Sequence, residues 1–271
     1  MTRGIGFVTA LYHDATRVRQ FVHHLHSLPR PQDVQLHVVV ANNGCDSQPV
    51  WIADADVYTS GRNLGYFGGC AWALDQWAAR RSTLPEWICV SNSDLELADD
   101  FLETLFASTI SEDVGVLAPD VRLASGAQQN PLLWDRPTPL MMLAYAILTR
   151  SALFSISFEA FVHVRHHVRR LLERRTIDPR SRMYAPHGSI VLLHRRFFEN
   201  GGSLRYGGLM YGEEIHLAEQ ARRANLAVQW CRNLGVVHRQ HATTRLVSRA
   251  QRRTWQAESA NALWRDYFAG D

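Results

Sequence analysis

Three short stretches combine residue types at spacings that could do chemistry. In "CVSNSDLEL" an apolar run ends in Asn92 and Asp94, two residues apart. In an extended chain such side chains point the same way. Their oxygens could together hold a divalent cation and leave positions open for phosphate oxygens. The plainer alternative is that one of them caps the next helix or shapes a turn. In "GRNLGYFGGCAWALD", Gly65, Gly68 and Gly69 stand where a strand gives way to a helix. Glycines there allow close backbone approach, and a helix N-terminus attracts anions, although a tight turn alone would also want them. In "YGEEIHLAEQARRANL", Gly212 precedes Glu213 and Glu214 in the first turn of an amphipathic helix. The helix dipole favours negative charge there by about 0.3–1 kcal/mol, so both could be capping residues. Each carboxylate also raises the pKa of its neighbour, which suits a base working near neutral pH. Coupled acids titrate as a pair, so the pattern leaves open which one is the base. His238 closes the apolar run "GVVH", where a structural histidine and a ligand are both open readings.

These residues need elements to position them. Strand and helix alternate through the first 121 residues: "IGFVTAL", "LHVVVAN", "ADVYTS", "EWICVSNSD" and "VGVLAPD" read as strands. "DATRVRQFVHHLHSL" reads as a helix with Val18, Phe21, Val22 and Leu25 on one face and Asp14 as its cap. This alternation predicts an α/β fold with a mostly parallel sheet covered on both faces. Ligands of such sheets sit beyond the carboxyl ends of the strands, which directs attention to Thr9–Tyr12, Asn42–Gly44 and Ser91–Asp94. After Asp120 the alternation stops. Residues 122–138 read as a loop, and 139–175 as a distinct apolar and then basic segment. Its stretch 163–175 carries five arginines and three histidines around a face of Val164, Val168, Leu171 and Leu172. Strand and helix resume near residue 183, and a helix closes the chain.

Composition sets outer bounds. The 271 residues are 46% hydrophobic and 20% charged, with formal net charge +3, so a sizeable core is expected. All 29 basic residues are arginine, which excludes a lysine nucleophile or P-loop lysine. Cys45, Cys70, Cys89 and Cys231 are too scattered for a zinc site and suggest a reducing cytosol. The first residues read as a strand rather than a signal peptide, and no run of about 20 apolar residues suggests a membrane span. The small net charge and the absence of any nucleic-acid motif argue against nucleic acid as a partner. The basic stretch fits a solvated helix face, an anionic membrane surface or a clamp on an anionic substrate.

Taken in order, "VTALYHD", "VVVANNG", "RNLGYFGG", "SNSDLEL", "VGVLAP", "GSIVLLHRRFFENGG", "YGEEIHLAEQARRANL" and "VVHRQHATT" resemble the inverting family 2 glycosyltransferases. The likeness is to their rhamnosyltransferase-like branch, which builds bacterial surface polysaccharides. It covers roughly residues 4–121 and 183–245. It implies a single GT-A-type, Rossmann-like domain over 1–271. Within it, 1–121 would be the nucleotide-sugar half, 122–182 a variable acceptor-side or membrane-facing segment, 183–245 the acceptor and catalytic half, and 246–271 a C-terminal helix. It also implies a UDP- or dTDP-sugar donor, a saccharide or lipid-linked saccharide acceptor, and Mg2+ or Mn2+. The expected location is cytoplasmic, or peripheral on the inner face of the membrane. On the family pattern Asn92–Ser93–Asp94 is similar to the metal-binding "DxD" motif, with Asp94 as its main ligand. Thr9 and Tyr12 match the segment flanking nucleobase and ribose, while Asn63 and Gly65 match the donor-binding "NxG". Gly188 matches a small acceptor-side residue, and His238 a histidine near the metal or diphosphate. Glu214 matches the catalytic base, with Glu213 beside it.

Three positions depart from the pattern. Asn42 stands where the family commonly has Asp. Asn92 replaces the first acid of the metal motif. In "EEIHL" Glu214 replaces an aspartate and His216, on the acceptor side, a second acid. These departures favour the alternative reading, a catalytically weak nucleotide-sugar-binding or scaffold protein. A nucleotidyltransferase on a similar sheet would want a glycine-rich basic loop after the first strand, which "ALYHDATR" does not supply.

Overall fold

The computed structural model describes residues 3–44, 50–81, 83–150, 182–239 and 248–270. The basic stretch 163–175 therefore lies outside the described residues, as do 240–245.

The chain enters through β1 (Gly4–Leu11), α1 (Ala15–Ser27), β2 (Gln35–Asn42), β3 (Asp56–Thr59), α2 (Tyr66–Ala78) and β4 (Trp87–Ser91). Then come the short β5 (Leu95–Leu97), α3 (Phe101–Ala107), the long β6 (Val114–Leu123) and α4 (Pro139–Leu148). The second half holds β7 (Arg182–Met183), β8 (Ile190–His194), α5 (Arg195–Glu199), α6 (Glu213–Arg223), β9 (Ala227–His238) and α7 (Arg249–Leu263). A π-helical turn, Trp264–Phe268, extends α7.

The nine strands form one mixed sheet in the order β3-β2-β1-β4-β8-β6-β9-β5, with β7 also on β9. Strands β1 to β4, β6 and β9 run one way, and β5, β7 and β8 run the other. The chain builds outward from β1 through β2 and β3, then returns to lay β4 on its other side. That reversal makes the carboxyl ends of β1 and β4 a topological switch point, where open α/β sheets bind ligands.

The buried strands are near-continuous apolar runs because both faces are covered. On one face Val18, Phe21, Val22 and Leu25 of α1 and Phe101, Leu102 and Leu105 of α3 pack onto the sheet. On the other lie Phe67, Leu74 and Trp77 of α2 with Leu217 and Ala221 of α6. Each such large side chain contributes about 1.5–3 kcal/mol when fully buried. A smaller cluster ties Met142 of α4 to Leu263, Tyr267 and Phe268. Asp14 caps α1 as expected, accepting from the Arg17 backbone N–H at 3.0 Å, and Ser248 caps α7 by accepting from that of Gln251 at 3.1 Å.

Two stretches hold more structure than local sequence pattern shows. "AVQWC" and "GVVH" form one strand, β9, with a register shift: Cys231 pairs with Pro119, and Gly235 with Asp120. The intervening Arg232 and Asn233 face solvent, so the bulge hides the continuity that a period of two would show. The loop after β6 is also held closely. Its Gln129 backbone N–H donates to Val121 O at 2.8 Å, and Leu133 bridges to Ala185. No helix among the described residues is long and apolar enough to cross a membrane.

Candidate active site

Strand β4 ends at Ser91 and runs directly into Asn92–Ser93–Asp94. Strand β5 then turns back antiparallel to β9, with Leu95 opposite His238. That register brings Asp94 Oδ2 to 3.4 Å from His238 Nε2, in a pair whose side chains are only 13% and 10% exposed. The two residues are 144 apart in number and meet only because β5 and β9 pair. Asn92 and Ser93 remain partly exposed beside them.

Behind His238 lies a set of residues that sequence patterns did not single out. His238 Nδ1 is 2.8 Å from Gln129 Oε1, and Gln129 Nε2 is 3.2 Å from His187 Nε2. The two imidazoles lie with centroids 5.8 Å apart. His187 Nδ1 is in turn 2.9 Å from Ser189 Oγ, and the His187 backbone N–H donates to Asn130 Oδ1 at 2.6 Å. Asn130 is fully buried and anchors the stretch by donating to Pro119 O at 2.7 Å.

The stretch His187–Gly188–Ser189 also reaches the glutamates. Ser189 O accepts from the Asn92 backbone N–H at 2.8 Å. The Gly188 backbone N–H donates to the Glu214 carboxylate. A Cβ at residue 188 would lie 2.8 Å from Glu214 Oε1, so the close approach requires glycine. Helix α6 opens from Gly212 in the left-handed region, with no side-chain cap, and carries both acids in its first turn. Glu213 is 7% exposed and is held by the Tyr211 backbone N–H, whereas Glu214 is partly open. Burial pushes both carboxyls above the ordinary range, and the Glu214 charge adds to the shift of Glu213. Nearby, the Tyr66 hydroxyl is buried with no hydrogen-bond partner among the described residues. Burial above all raises its pKa, then Cys70 and Cys89, with Glu213 and Asp94 adding to the shift.

The other expected residues divide. Asn63 Oδ1 accepts from the Gly65 backbone N–H at 2.9 Å, which fixes the turn into α2. Gly65 sits at φ +76°, and a Cβ there would lie 2.3 Å from Leu209 O. Asn42 is 4% exposed. Its Oδ1 accepts from the Gly44 N–H at 3.0 Å and its amide donates to Thr59 Oγ1 at 3.2 Å, so its polar atoms serve the strand end. Thr9 is fully buried beneath the switch point, while Tyr12 is partly exposed and stacks edge-on against His13. His216 is not brought to Glu214 and Asp94 but points toward Ser203 and Tyr267. Two residues along a helix turn the side chain about 200° from Glu214. It is 3% exposed, with Nε2 3.0 Å from Ser203 O and Nδ1 2.6 Å from the Tyr267 hydroxyl. Burial holds its pKa down, to about 4, so the ring is neutral and structural.

Fold and site together define a class: a GT-A-type α/β domain with Asp94 just past the carboxyl end of β4 and Glu214 held close by through Gly188. Solved structures with this fold include GalNAc-T7 with UDP, GalNAc and Mn2+, at TM-score 0.53 and 15% identity, covering 88% of this chain and 44% of that one. They include residues 1–349 of S. aureus TarS in complex with UDP-GlcNAc, at TM-score 0.52 and 12% identity, covering 89% and 59%. In sequence the chain is similar to the low-salt glycan biosynthesis hexosyltransferase of Haloferax volcanii, 26% identical over 209 residues. That match covers 75% of this chain and 58% of the relative, so the chain spans little more than half the relative's length. No family model matches the chain.

Proposed function

We propose that this chain is an inverting family 2 glycosyltransferase. It would move a hexose from a UDP- or dTDP-sugar to a hydroxyl of a saccharide or lipid-linked saccharide, in surface-polysaccharide synthesis on the cytoplasmic side of the membrane. One observation carries the reading. The three residues His187–Gly188–Ser189 hold Glu214 at Gly188 and abut the Asp94–His238 pair through Asn92 and Gln129. A candidate base and a candidate cation site thus share one rigid support. The hexosyltransferase relative and the nucleotide- and Mn2+-bound neighbours support the same reading.

The donor set fits Mg2+ or Mn2+. Asp94 offers a carboxylate oxygen and His238 an imidazole nitrogen, 3.4 Å apart and nearly buried. No group of three His, Cys, Asp or Glu converges among the described residues. Two protein donors suit a cation that takes its remaining ligands from phosphate oxygens and water. When bound, such a cation supplies positive charge against the diphosphate leaving group.

The chain's own residues do the rest. Glu214, the more open of the pair, takes the proton from an acceptor hydroxyl. That oxygen forms its bond to the anomeric carbon from the face opposite the diphosphate. The carbon–oxygen bond to the diphosphate breaks, the electron pair leaves with the nucleoside diphosphate, and the configuration inverts. Gly188 N–H orients the base, and the helix dipole of α6 tolerates the charge it carries before the reaction. A positioned general base contributes about 10²–10⁴-fold. Glu214→Gln is therefore expected to lower kcat by about that factor while donor affinity stays within about threefold, since binding and proton removal use different groups. Turnover assays with donor titration check this; unchanged kcat would overturn the assignment.

A further inference from the structure

Helix α4 reads "PLMMLAYAIL", ten residues without a charge. A surface helix needs one apolar stripe to face its core, and a helix apolar all round belongs in a core or at a membrane. The inner stripe of α4 is met: Met142 and Ala146 are buried, and Met142 packs with Leu263, Tyr267 and Phe268. Leu140, Leu143, Ala144, Ile147 and Leu148 recur at helical spacing on the opposite side. Leu140 is 75% exposed and Ile147 56%, two of the three large apolar side chains that stand exposed among the described residues. The other members of this outer stripe are partly exposed. The same helix stands beside the candidate base. Ile215, the neighbour of Glu214 in α6, and Tyr145 of α4 pack against one cluster around Met142 and Leu263. Sequence then adds charge. Arg150 follows α4 directly and is exposed. Residues 151–162 carry a single charge, Glu159, and 163–175 carry five arginines against one glutamate.

We propose that α4 is an interfacial membrane helix whose outer stripe enters the headgroup boundary of an anionic bilayer. At about 15 Å it covers half of the about 30 Å hydrocarbon core, so it lies on the surface and does not span it. Leucine and isoleucine on one face with arginine close by is the chemistry of such helices. Arginines near the surface add attraction to anionic lipid. A second copy of the chain would bring the same arginines and be repelled, so charge favours lipid over self-association. The inference rests on the proposed function for its acceptor and deepens it. The bilayer would lie on the α4 side of Glu214, where a lipid-linked saccharide would be offered.

The test replaces Leu140→Gln and Ile147→Gln together, which removes apolar contact and keeps a good helix former at each position. Affinity is read by sedimentation with vesicles of phosphatidylcholine and phosphatidylglycerol, against phosphatidylcholine alone. Wild type is expected to bind the anionic vesicles at least about tenfold more tightly than the neutral ones, and less at high salt. L140Q/I147Q is expected to bind them at least about tenfold more weakly than wild type. Its melting temperature is expected to stay within about 2 °C of wild type, because both side chains are exposed. Equal sedimentation of wild type and L140Q/I147Q, or none of wild type, would overturn the inference. So would a dimer in solution that the two substitutions dissociate, or a lowered melting temperature with unchanged vesicle affinity, since each gives the stripe to protein. Binding is read without donor or turnover, so the result stands whether or not the chain transfers sugar.

Discussion

The two glutamates differ more than their adjacency suggests. Residues 213 and 214 lie about 100° apart around α6, and Glu213 is buried while Glu214 stays partly exposed. Glu213 is buried, so its ionisation is opposed by desolvation and by its neighbour, against the favourable bond from the Tyr211 N–H. A carboxyl raised in the folded state binds protons that the unfolded chain has already released. Folding stability therefore falls as pH rises from the ordinary glutamate value through the raised one. Glu213→Gln removes that cost. Its melting temperature is expected to exceed wild type at pH 8 by the equivalent of at least about 1 kcal/mol, roughly one pKa unit's worth. Near pH 4, where both carboxyls are protonated, the difference is expected to vanish; calorimetry at the two pH values checks both.

At the scale of elements, the site is built from strand ends and helix starts. Helix α2 begins at Gly65, where three constraints meet: φ +76°, the Asn63 side chain on its N–H, and Leu209 O within 2.3 Å of any Cβ. Gly65→Ala adds the strain of a left-handed non-glycine residue, about 1–3 kcal/mol, before the clash is counted. Urea unfolding is expected to show a loss at least that large. Helix α6 is fixed at its far turn by Glu219, whose side chain is fully buried. Burial pushes that carboxyl up, but bonds from Arg136, Tyr184 and Arg222 together hold it below the ordinary range. Alignment of α6 therefore depends on the loop before α4 as much as on its own sequence.

At the scale of the whole molecule, Arg136 ties three parts together. It donates to Glu219 Oε1 at 2.6 Å and Oε2 at 3.2 Å, and to Tyr267 O at 3.1 Å in the C-terminal π-helical turn. Its guanidinium also lies 4.4 Å from the Phe268 ring centroid. Removing Arg136 takes its bonds from the buried Glu219 carboxylate but leaves those of Arg222 and Tyr184, so the cost stays below the about 3–5 kcal/mol of an unpaired buried charge. Arg136→Met is expected to lower unfolding free energy in urea by about 1.5–3 kcal/mol, the worth of a hydrogen bond to a charged group. The change should exceed that of Arg205→Met, whose pairing with Asp75 is between exposed side chains.

Much of this was legible in the sequence, for local reasons. The α/β class, the helix cap at Asp14, and the strand-end placement of Asn92 and Asp94 follow from periodicity and chain direction. Each depends on residues within a turn or two of one another. The glutamate pair was visible as a pair, but not which member is open, because that is set by what packs on α6. His216 stands where the family pattern has a second acid, and Ser203 and Tyr267 claim both its nitrogens. Gln129 and His187 carried no local signal. Gln129 lies 109 residues from His238 and 58 from His187, and gains its role only where the loop after β6 meets the entry to β8 and the end of β9. Sequence by itself determined which chemical groups stand at which strand ends, since backbone geometry fixes that locally. Only the tertiary structure decided which of them touch. Contact between distant residues depends on strand order, register and the bulge in β9, and these are settled by burying the whole sheet at once.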